Sequence, residues 1–404
     1  KPQHIKTFVS DSLGNLTCTF TLDNTKQIFV YLGIYKGVLY AEPGKTYEIV
    51  LPPRIDKGIV EDLNPYFEEE ELSLGIKNAS KTELNYLISS FNTIYENFLT
   101  DHFTYLYLNA DIKMVDSLKR ITDSTYLNTK NAYFDQYYFY KYAFLRHFVL
   151  ERDRNFATKK YFLNKPILYN NDAYMEFFNQ LWGKYFIYQG ISDKNGERLL
   201  SNVNFSKSPS ELKRTLSMNM SLRNDSLLEL VILRGLYDCY SKPELYVRQT
   251  VDQTLDSVKL LTKISLHKTI AENLSVISER ILPGDTAFSF TLADKNGKLI
   301  SLKDFKGKYV YLLFCRSENF ACLKDYKLVK DIYNAQFPDL EIVTICEEQD
   351  KETFDDFQKN NVDYPWMFLY DEHRTVSEQY MIKIMPSYLL IDPDGIVAMI
   401  PAAS

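Results

Sequence analysis

The hydrophobic period of this chain changes twice, and that property constrains its fold more than any other, because strands and helices bury their apolar faces at different spacings. From Thr7 to Pro53 apolar residues alternate, through Phe8, Leu16, Cys18 and Phe20, then Ile28-Phe29-Val30-Tyr31-Leu32, Val38-Leu39-Tyr40 and Tyr47-Glu48-Ile49-Val50-Leu51. Turn chemistry separates them at Ser12-Leu13-Gly14-Asn15, Asp23-Asn24 and Glu42-Pro43-Gly44-Lys45. The pattern predicts an antiparallel β-domain over residues 1–61, starting abruptly enough for earlier strands to be missing.

Past Pro53 the spacing becomes helical. Ser80-Lys81-Thr82-Glu83 has the form of a capping box and precedes one stripe of Leu84, Leu87, Ile88, Phe91, Tyr95 and Phe98. Residues 131–150 hold Tyr133, Phe134, Tyr137, Tyr138, Tyr142, Phe144, Leu145 and Phe148. That segment is apolar on every side, which places it centrally in a bundle; core packing outweighs a carbohydrate or peptide groove for its tyrosines. Ser226-Leu227-Leu228-Glu229 and Ser241-Lys242-Pro243-Glu244 offer two more boxes, with helices behind them to Tyr240 and Leu261. An all-helical domain over 62–279 follows, in keeping with Tyr 31 and Phe 26 against only Gly 14.

At Leu282-Pro283-Gly284-Asp285 the punctuation resets. Phe288, Phe290 and Leu292 alternate, Asp294-Lys295-Asn296-Gly297 turns, and Leu299 with Leu302 returns, a β-hairpin. Tyr309-Val310-Tyr311-Leu312-Leu313-Phe314 is apolar throughout, as a central parallel strand is. A helix over 320–336, a strand at Leu340–Ile345, a helix over 351–360 and a strand at Tyr388–Ile391 closed by Asp392-Pro393-Asp394-Gly395 complete an α/β domain over 280–404. The fold class is therefore multidomain α+β.

Composition removes several functions. Lys+Arg 47 against Asp+Glu 53 gives a net charge of -6 with no basic face, so nucleic acid is not an expected partner. No apolar run is long enough to span a bilayer. The N-terminus Lys1-Pro2-Gln3-His4 has no signal-type apolar region, so a leader could have been removed and lipid anchoring stays open. The histidines at 4, 102, 147, 267 and 373 are isolated and no Cys/His cluster has zinc spacing, so no metal is expected; nor is any cofactor. The acidic runs Glu68–Glu71 and Glu347-Glu348-Gln349-Asp350 read as solvated faces rather than calcium loops. Five cysteines, at 18, 239, 315, 322 and 346, are too few and too scattered for a disulfide framework; Cys18, in a strand, and Cys239, in an apolar helix, read as packed thiols.

Residues 282–397 resemble the thioredoxin-like domains of periplasmic thiol-disulfide oxidoreductases of the TlpA/ResA type. The resemblance rests on Pro283-Gly284-Asp285 with Ala287, Ser289 and Phe290, on Leu302-Lys303-Asp304-Phe305-Lys306-Gly307-Lys308, on the strand to Phe314, and on Met385-Pro386-Ser387-Tyr388-Leu389-Leu390-Ile391-Asp392-Pro393-Asp394-Gly395. The last looks like the family's cis-proline segment. The two preceding regions resemble those that Bacteroidetes-type envelope proteins join to such a domain, which implies a periplasmic or cell-envelope location. The family's closing helix has no counterpart after Pro401-Ala402-Ala403-Ser404, so either the sequence is truncated or another element covers that face.

The resemblance implies a Trp-Cys-x-x-Cys motif at a helix start. The first sulfur would attack as a thiolate favoured by the helix N-terminus, and the second would resolve the mixed disulfide. Here the Trp position is Glu318, the attacking position is Asn319, and only the resolving Cys322 remains. An amide is no nucleophile, Asn is a strong N-cap, and a carboxylate at 318 opposes thiolate formation. Three rescues can be weighed: Cys315 pairing with Cys322; Cys322 acting alone in the manner of peroxiredoxins, which is not expected because that family's proline, threonine and arginine fall on Cys315, Asn319 and near Pro386 and none matches; and Cys346 meeting Cys315 across neighbouring strands, where two packed thiols are the simpler reading. The leading expectation is a redox-attenuated protein holding peptide or protein near Asn319, Met385 and Pro386. The alternative is an active thiol-disulfide oxidoreductase using Cys322 with Cys315 or an external thiol. Oligomeric state is not expressed in the sequence.

Overall fold

The computed structural model describes residues 5, 11, 15–58, 67–77, 79–126, 128–190, 194–278, 281, 283–335, 337–348, 350–360, 363–382 and 385–400. Phe8, the turn at 12–14, Leu282 and the tail 401–404 lie outside them. The chain divides into two compact units, residues 1–55 with 69–278, and 56–68 with 279–404. No helix among the described residues is long and apolar enough to cross a membrane.

In the first unit, strands β1 (Lys26–Leu32) and β2 (Tyr35–Ala41) form an antiparallel hairpin. Alternation along β2 points Leu39 and Ala41 into a small core with Leu74. Two short ladders complete the region: β3 (Ile49–Val50) pairs with β5 (Gly75–Ile76), and β4 (Glu70–Ser73) joins β2 in parallel. β4 and β5 thus lie past residue 61, where helix was expected. The stretch Leu16–Phe20, expected as a strand, is not one, and Cys18 is exposed rather than packed. Alternation marks a face that a sheet could bury, but the burial itself has to come from a neighbouring layer.

Eleven helices of the same unit follow among the described residues: α1 (Leu84–Asp101), α2 (Ile112–Tyr126), α3 (Ala132–Arg146), α4 (Arg154–Ala157), α5 (Asp172–Trp182), α6 (Tyr185–Gly190), α7 (Lys194–Ser201), α8 (Pro209–Leu216), α9 (Asp225–Cys239), α10 (Arg248–Leu261) and α11 (Ser265–Ser278). The α1 stripe is buried as its spacing predicts, and α3 buries Phe134, Tyr137, Tyr140, Tyr142 and Leu145 in the bundle core. The helix starts differ from the expected boxes. Glu83 caps α1 by accepting from the Tyr86 N–H, and Asn224, two residues before Ser226, caps α9. Residues 241–247 form turns, with α10 starting only at Arg248. A side-chain acceptor caps a helix from whichever position the tertiary packing leaves non-helical, and several candidates competed at each start.

The second unit is a seven-stranded mixed sheet in the order β12-β11-β8-β9-β10-β6-β7. Its strands are β6 (Thr291–Asp294), β7 (Leu299–Ser301), β8 (Tyr309–Cys315), β9 (Leu340–Cys346), β10 (Met367–Tyr370), β11 (Ser387–Ile391) and β12 (Val397–Met399). β8, β9 and β10 run parallel, with β11 and β6 antiparallel beside them. Both hairpin turns use a glycine in the left-handed region, Gly297 at φ 78° and Gly395 at φ 83°. Helices α12 (Phe320–Asn334), α13 (Lys351–Asn360) and α14 (Thr375–Gln379) belong to this unit, whose sheet separates two apolar cores. β10 and α14 escaped the sequence reading because a four-residue strand flanked by Trp366 and Asp371 carries too little period to register.

Candidate functional site

The parallel strands β8 and β9 end together, with Cys315 opposite Cys346, and the chain leaving β8 turns through Arg316-Ser317-Glu318 into α12. In open α/β sheets this carboxyl end of the strands is where sites form. Two acids at the end of β9 hold the turn. Glu348 accepts from the Ser317 N–H at 2.7 Å and from the Ser317 hydroxyl at 2.9 Å. Glu347 takes ion pairs from both Arg316 and Arg374 on one carboxylate oxygen. Glu347 and Glu348 are buried, against the expectation that this run is a solvated face; the first run fits it better, with Glu68, Glu70 and Glu71 exposed. Their signal was positional, since they follow an apolar strand directly. Burial pushes the Glu348 carboxyl up, against the two hydrogen bonds from Ser317 that pull it down.

Asn319 sits at the helix start and is spent there. Its Oδ1 accepts from the N–H of Ala321 at 2.9 Å and of Cys322 at 3.2 Å, satisfying two of the four N–H groups that a helix start leaves without partners. Its Nδ2 donates to the Met385 carbonyl at 2.9 Å. The Met385–Pro386 peptide bond is cis. One amide therefore ties the start of α12 to the segment before the cis-proline. Glu318 and Phe320 flank it, both exposed, Phe320 at 69%.

Beneath this surface lie three thiols. Cys315, Cys322 and Cys346 are each fully buried in one cluster with Tyr326. Cys315 and Cys322 lie together in this cluster, and burial, then the neighbouring Cys322, push the Cys315 thiol well above its ordinary value. Burial, with Glu348 next, does the same to Cys346. No disulfide joins any of the described cysteines. The structure thus brings together Cys315, Cys322 and Cys346 with Met385 packed against them, and ties the buried Asn319 to Met385 beside the buried Pro386. Arg316, Ser317, Glu347, Glu348 and Arg374 are the site-forming residues the sequence reading missed. Cys239 is buried, as expected. No group of His, Cys, Asp and Glu able to hold a metal occurs among the described residues.

A central parallel core, an antiparallel strand behind a cis-proline, and a helix whose start faces that proline define a thioredoxin fold. The AhpC/TSA family model matches residues 283–400. The thiol-disulfide oxidoreductase ResA of Bacillus subtilis (strain 168) is 30% identical over 145 residues, 35% of this chain and 80% of that protein. ResA of Bacillus thuringiensis subsp. konkukian (strain 97-27) is 29% identical over 118 residues, 29% of this chain and 68% of that protein. Among solved structures, the thioredoxin domain of a thiol-disulfide oxidoreductase from Bacteroides vulgatus aligns at 25% identity and a TM-score of 0.29, over 31% of this chain and 91% of that one. The pneumococcal exposed lipoprotein thioredoxin of Streptococcus pneumoniae strain TIGR4 aligns at 27% identity and 0.27, over 29% and 90%. Through its C-terminal domain the chain belongs to the thioredoxin-fold thiol-disulfide oxidoreductase family. No CxxC pair occurs in the chain; Cys315 and Cys322 are the nearby cysteines.

Proposed function

We propose that this is a redox-attenuated thioredoxin-fold protein of the periplasm or cell envelope, which holds an extended peptide or protein segment against Asn319, Met385 and Pro386. The observation that carries this reading is the double use of Asn319. Its oxygen caps α12 and its nitrogen binds the Met385 carbonyl, while Cys322 lies fully buried underneath. A carbonyl oxygen has two lone pairs, so Met385 can accept from Asn319 and still pair with an incoming backbone. Phe320 offers an exposed apolar contact beside it. The envelope location rests on the resemblance to periplasmic relatives.

A second reading draws on the contact between Cys315 and Cys322. If the turn 316–321 opened, Cys322 would attack an external disulfide R–S–S–R and release R–SH. Cys315 would then resolve the mixed disulfide, release the second R–SH, and leave an internal disulfide. Burial of both sulfurs weighs against the attack, and the raised Cys315 pKa weighs against the resolving step, which also needs a thiolate.

Insulin reduction separates the two. The wild type is expected near background, and Asn319→Cys is expected to raise turnover roughly a hundredfold, the scale on which one positioned group acts. Wild-type turnover comparable to Asn319→Cys, and abolished by Cys322→Ser, would establish the second reading instead. Reduced and alkylated insulin B chain, which offers an extended segment without thiols, should shift the NMR signals of Phe320 and Met385, and Phe320→Ser should weaken that binding.

A further inference from the structure

Period-two geometry and helical geometry meet at one place in the first unit. Directly opposed residues share a sheet face, so Gln27 with Tyr40 and Val38 with Ser73 point the same way, as does Glu71 two residues before Ser73. Facing them, α1 lays down Ile88, Ser89, Asn92, Thr93 and Glu96, at spacings of one, four, five and eight that keep them on one side. Between the two faces runs a cleft of about 330 Å³, near the lower bound of small-molecule sites.

Its floor is fixed in place. Tyr40 donates its hydroxyl to Asp172 at 2.8 Å, and the Gln27 amide donates to the Tyr40 hydroxyl at 3.3 Å. Asn85 exchanges two hydrogen bonds with the Tyr40 backbone, at 2.6 and 2.9 Å. Tyr137 donates to the Asn92 oxygen at 2.9 Å, which leaves the Asn92 amino group for the cleft.

We propose that this cleft binds a neutral polyhydroxylated ligand of the saccharide class. The hydrogen-bond inventory selects that class. Of the two lining carboxylates, Glu71 is already matched by Lys36 at 2.5 Å, which leaves the exposed Glu96 as the one charge a cation could meet, so the choice between a cation and a neutral ligand falls to the hydrogen-bond groups. Among the neutral lining groups, the Ser73 and Ser89 hydroxyls can donate and accept, the Asn92 amino group donates, and Thr93, whose hydroxyl donates to the Ser89 carbonyl at 3.0 Å, can still accept. An ammonium only donates and would leave their N–H and O–H groups unmatched, whereas a sugar hydroxyl both donates and accepts. The cleft is also too polar for an apolar guest, since each buried and unmatched polar group costs binding energy.

Saturation-transfer NMR on the full chain tests this with glucose, galactose, N-acetylglucosamine and maltose, and with spermidine as the ammonium probe. Transfer to at least one sugar is expected, together with its loss in Ser89→Trp or Thr93→Trp. Both replace exposed residues of α1 and lay an indole over the cleft, and far-UV circular dichroism verifies that each folds. The proposal is overturned by any of three results: no transfer to any of the four sugars, transfer unchanged in both Trp variants, or binding of spermidine alone.

Discussion

Two buried carboxylates, one in each unit, solve the same problem in different ways. Glu229 in the helical unit accepts from Lys213 at 2.7 Å, from Thr262, and from His267 Nδ1 at 2.8 Å, and the far ring nitrogen of His267 meets the Tyr169 hydroxyl at 2.7 Å. The chain of bonds is consistent with a neutral imidazole that donates from Nδ1 and accepts from Tyr169 at Nε2. Glu347 at the strand ends instead takes two arginines whose side chains are 49% and 53% exposed. The helical acid is tied to groups inside the core, including the fully buried His267, while the strand-end acid is tied to groups that water can also solvate. A buried charge matched from within serves the core; one matched from the surface fixes a turn that can still be released.

The largest break in that comparison should come from Glu229→Ala. Removing the acceptor leaves the His267 Nδ1–H and the Thr262 hydroxyl proton without the acceptor they now use, at about 3 kcal/mol, the lower end for breaking a buried pair because Lys213 is a third exposed. Urea denaturation of the full chain measures it. Glu347→Ala should cost less, about 1–2 kcal/mol, since Arg316 and Arg374 can turn to water. Equal losses in the two variants would remove the distinction. Asn319→Ala should cost about 1 kcal/mol as a lost cap, with faster amide exchange at Ala321 and Cys322, the two donors it releases.

The smallest effect is one of pH, and its sign differs between the two places. Burial depresses the His267 pKa, more than contact with Glu229 raises it. His267 therefore contributes stability that is complete above about pH 6.5, the ordinary imidazole value, and is lost as pH falls through the folded value. Glu229 behaves likewise further into acid: its pKa is lowered, with burial opposing and Lys213, Thr262 and His267 prevailing. Glu348 runs the other way, because burial raises its pKa. Its contribution is present below the ordinary carboxylate range and is lost as pH rises through the folded value. Mild acid should thus weaken the helical unit while relieving the strand-end site. Thermal melts between pH 5 and 7 should show a slope that His267→Gln flattens; an unchanged slope would place the titration elsewhere.

Much of the fold was legible because it depends on spacing. The hairpin β6–β7, the run of β8 into α12, and the stripe of α1 all lie where period and turn residues put them. What failed did so for a common reason. Leu16 to Phe20 alternates without becoming a strand, and the boxes at Ser80, Ser226 and Ser241 yield to Glu83, Asn224 and a turn. In each case several local solutions were equivalent, and packing against other elements chose among them. The acids Glu347 and Glu348 were misread because a run of charge looks the same whether it faces water or, as here, two arginines and a serine from elsewhere in the chain.

The residues alone determine that Asn319 cannot act as a nucleophile and that Cys322 has no partner three positions before it, because these are matters of chemical identity and separation along the chain. They determine too that the C-terminal third is an α/β domain, since its apolar runs are too long and too regular for another architecture. Only tertiary structure decided that Asn319 reaches across to Met385 and that three distant thiols share one pocket. It alone also decided that a sheet face and a helix face enclose a polar cleft. Such meetings depend on how twisted strands and packed helices deliver side chains in three dimensions, and no local spacing encodes that delivery.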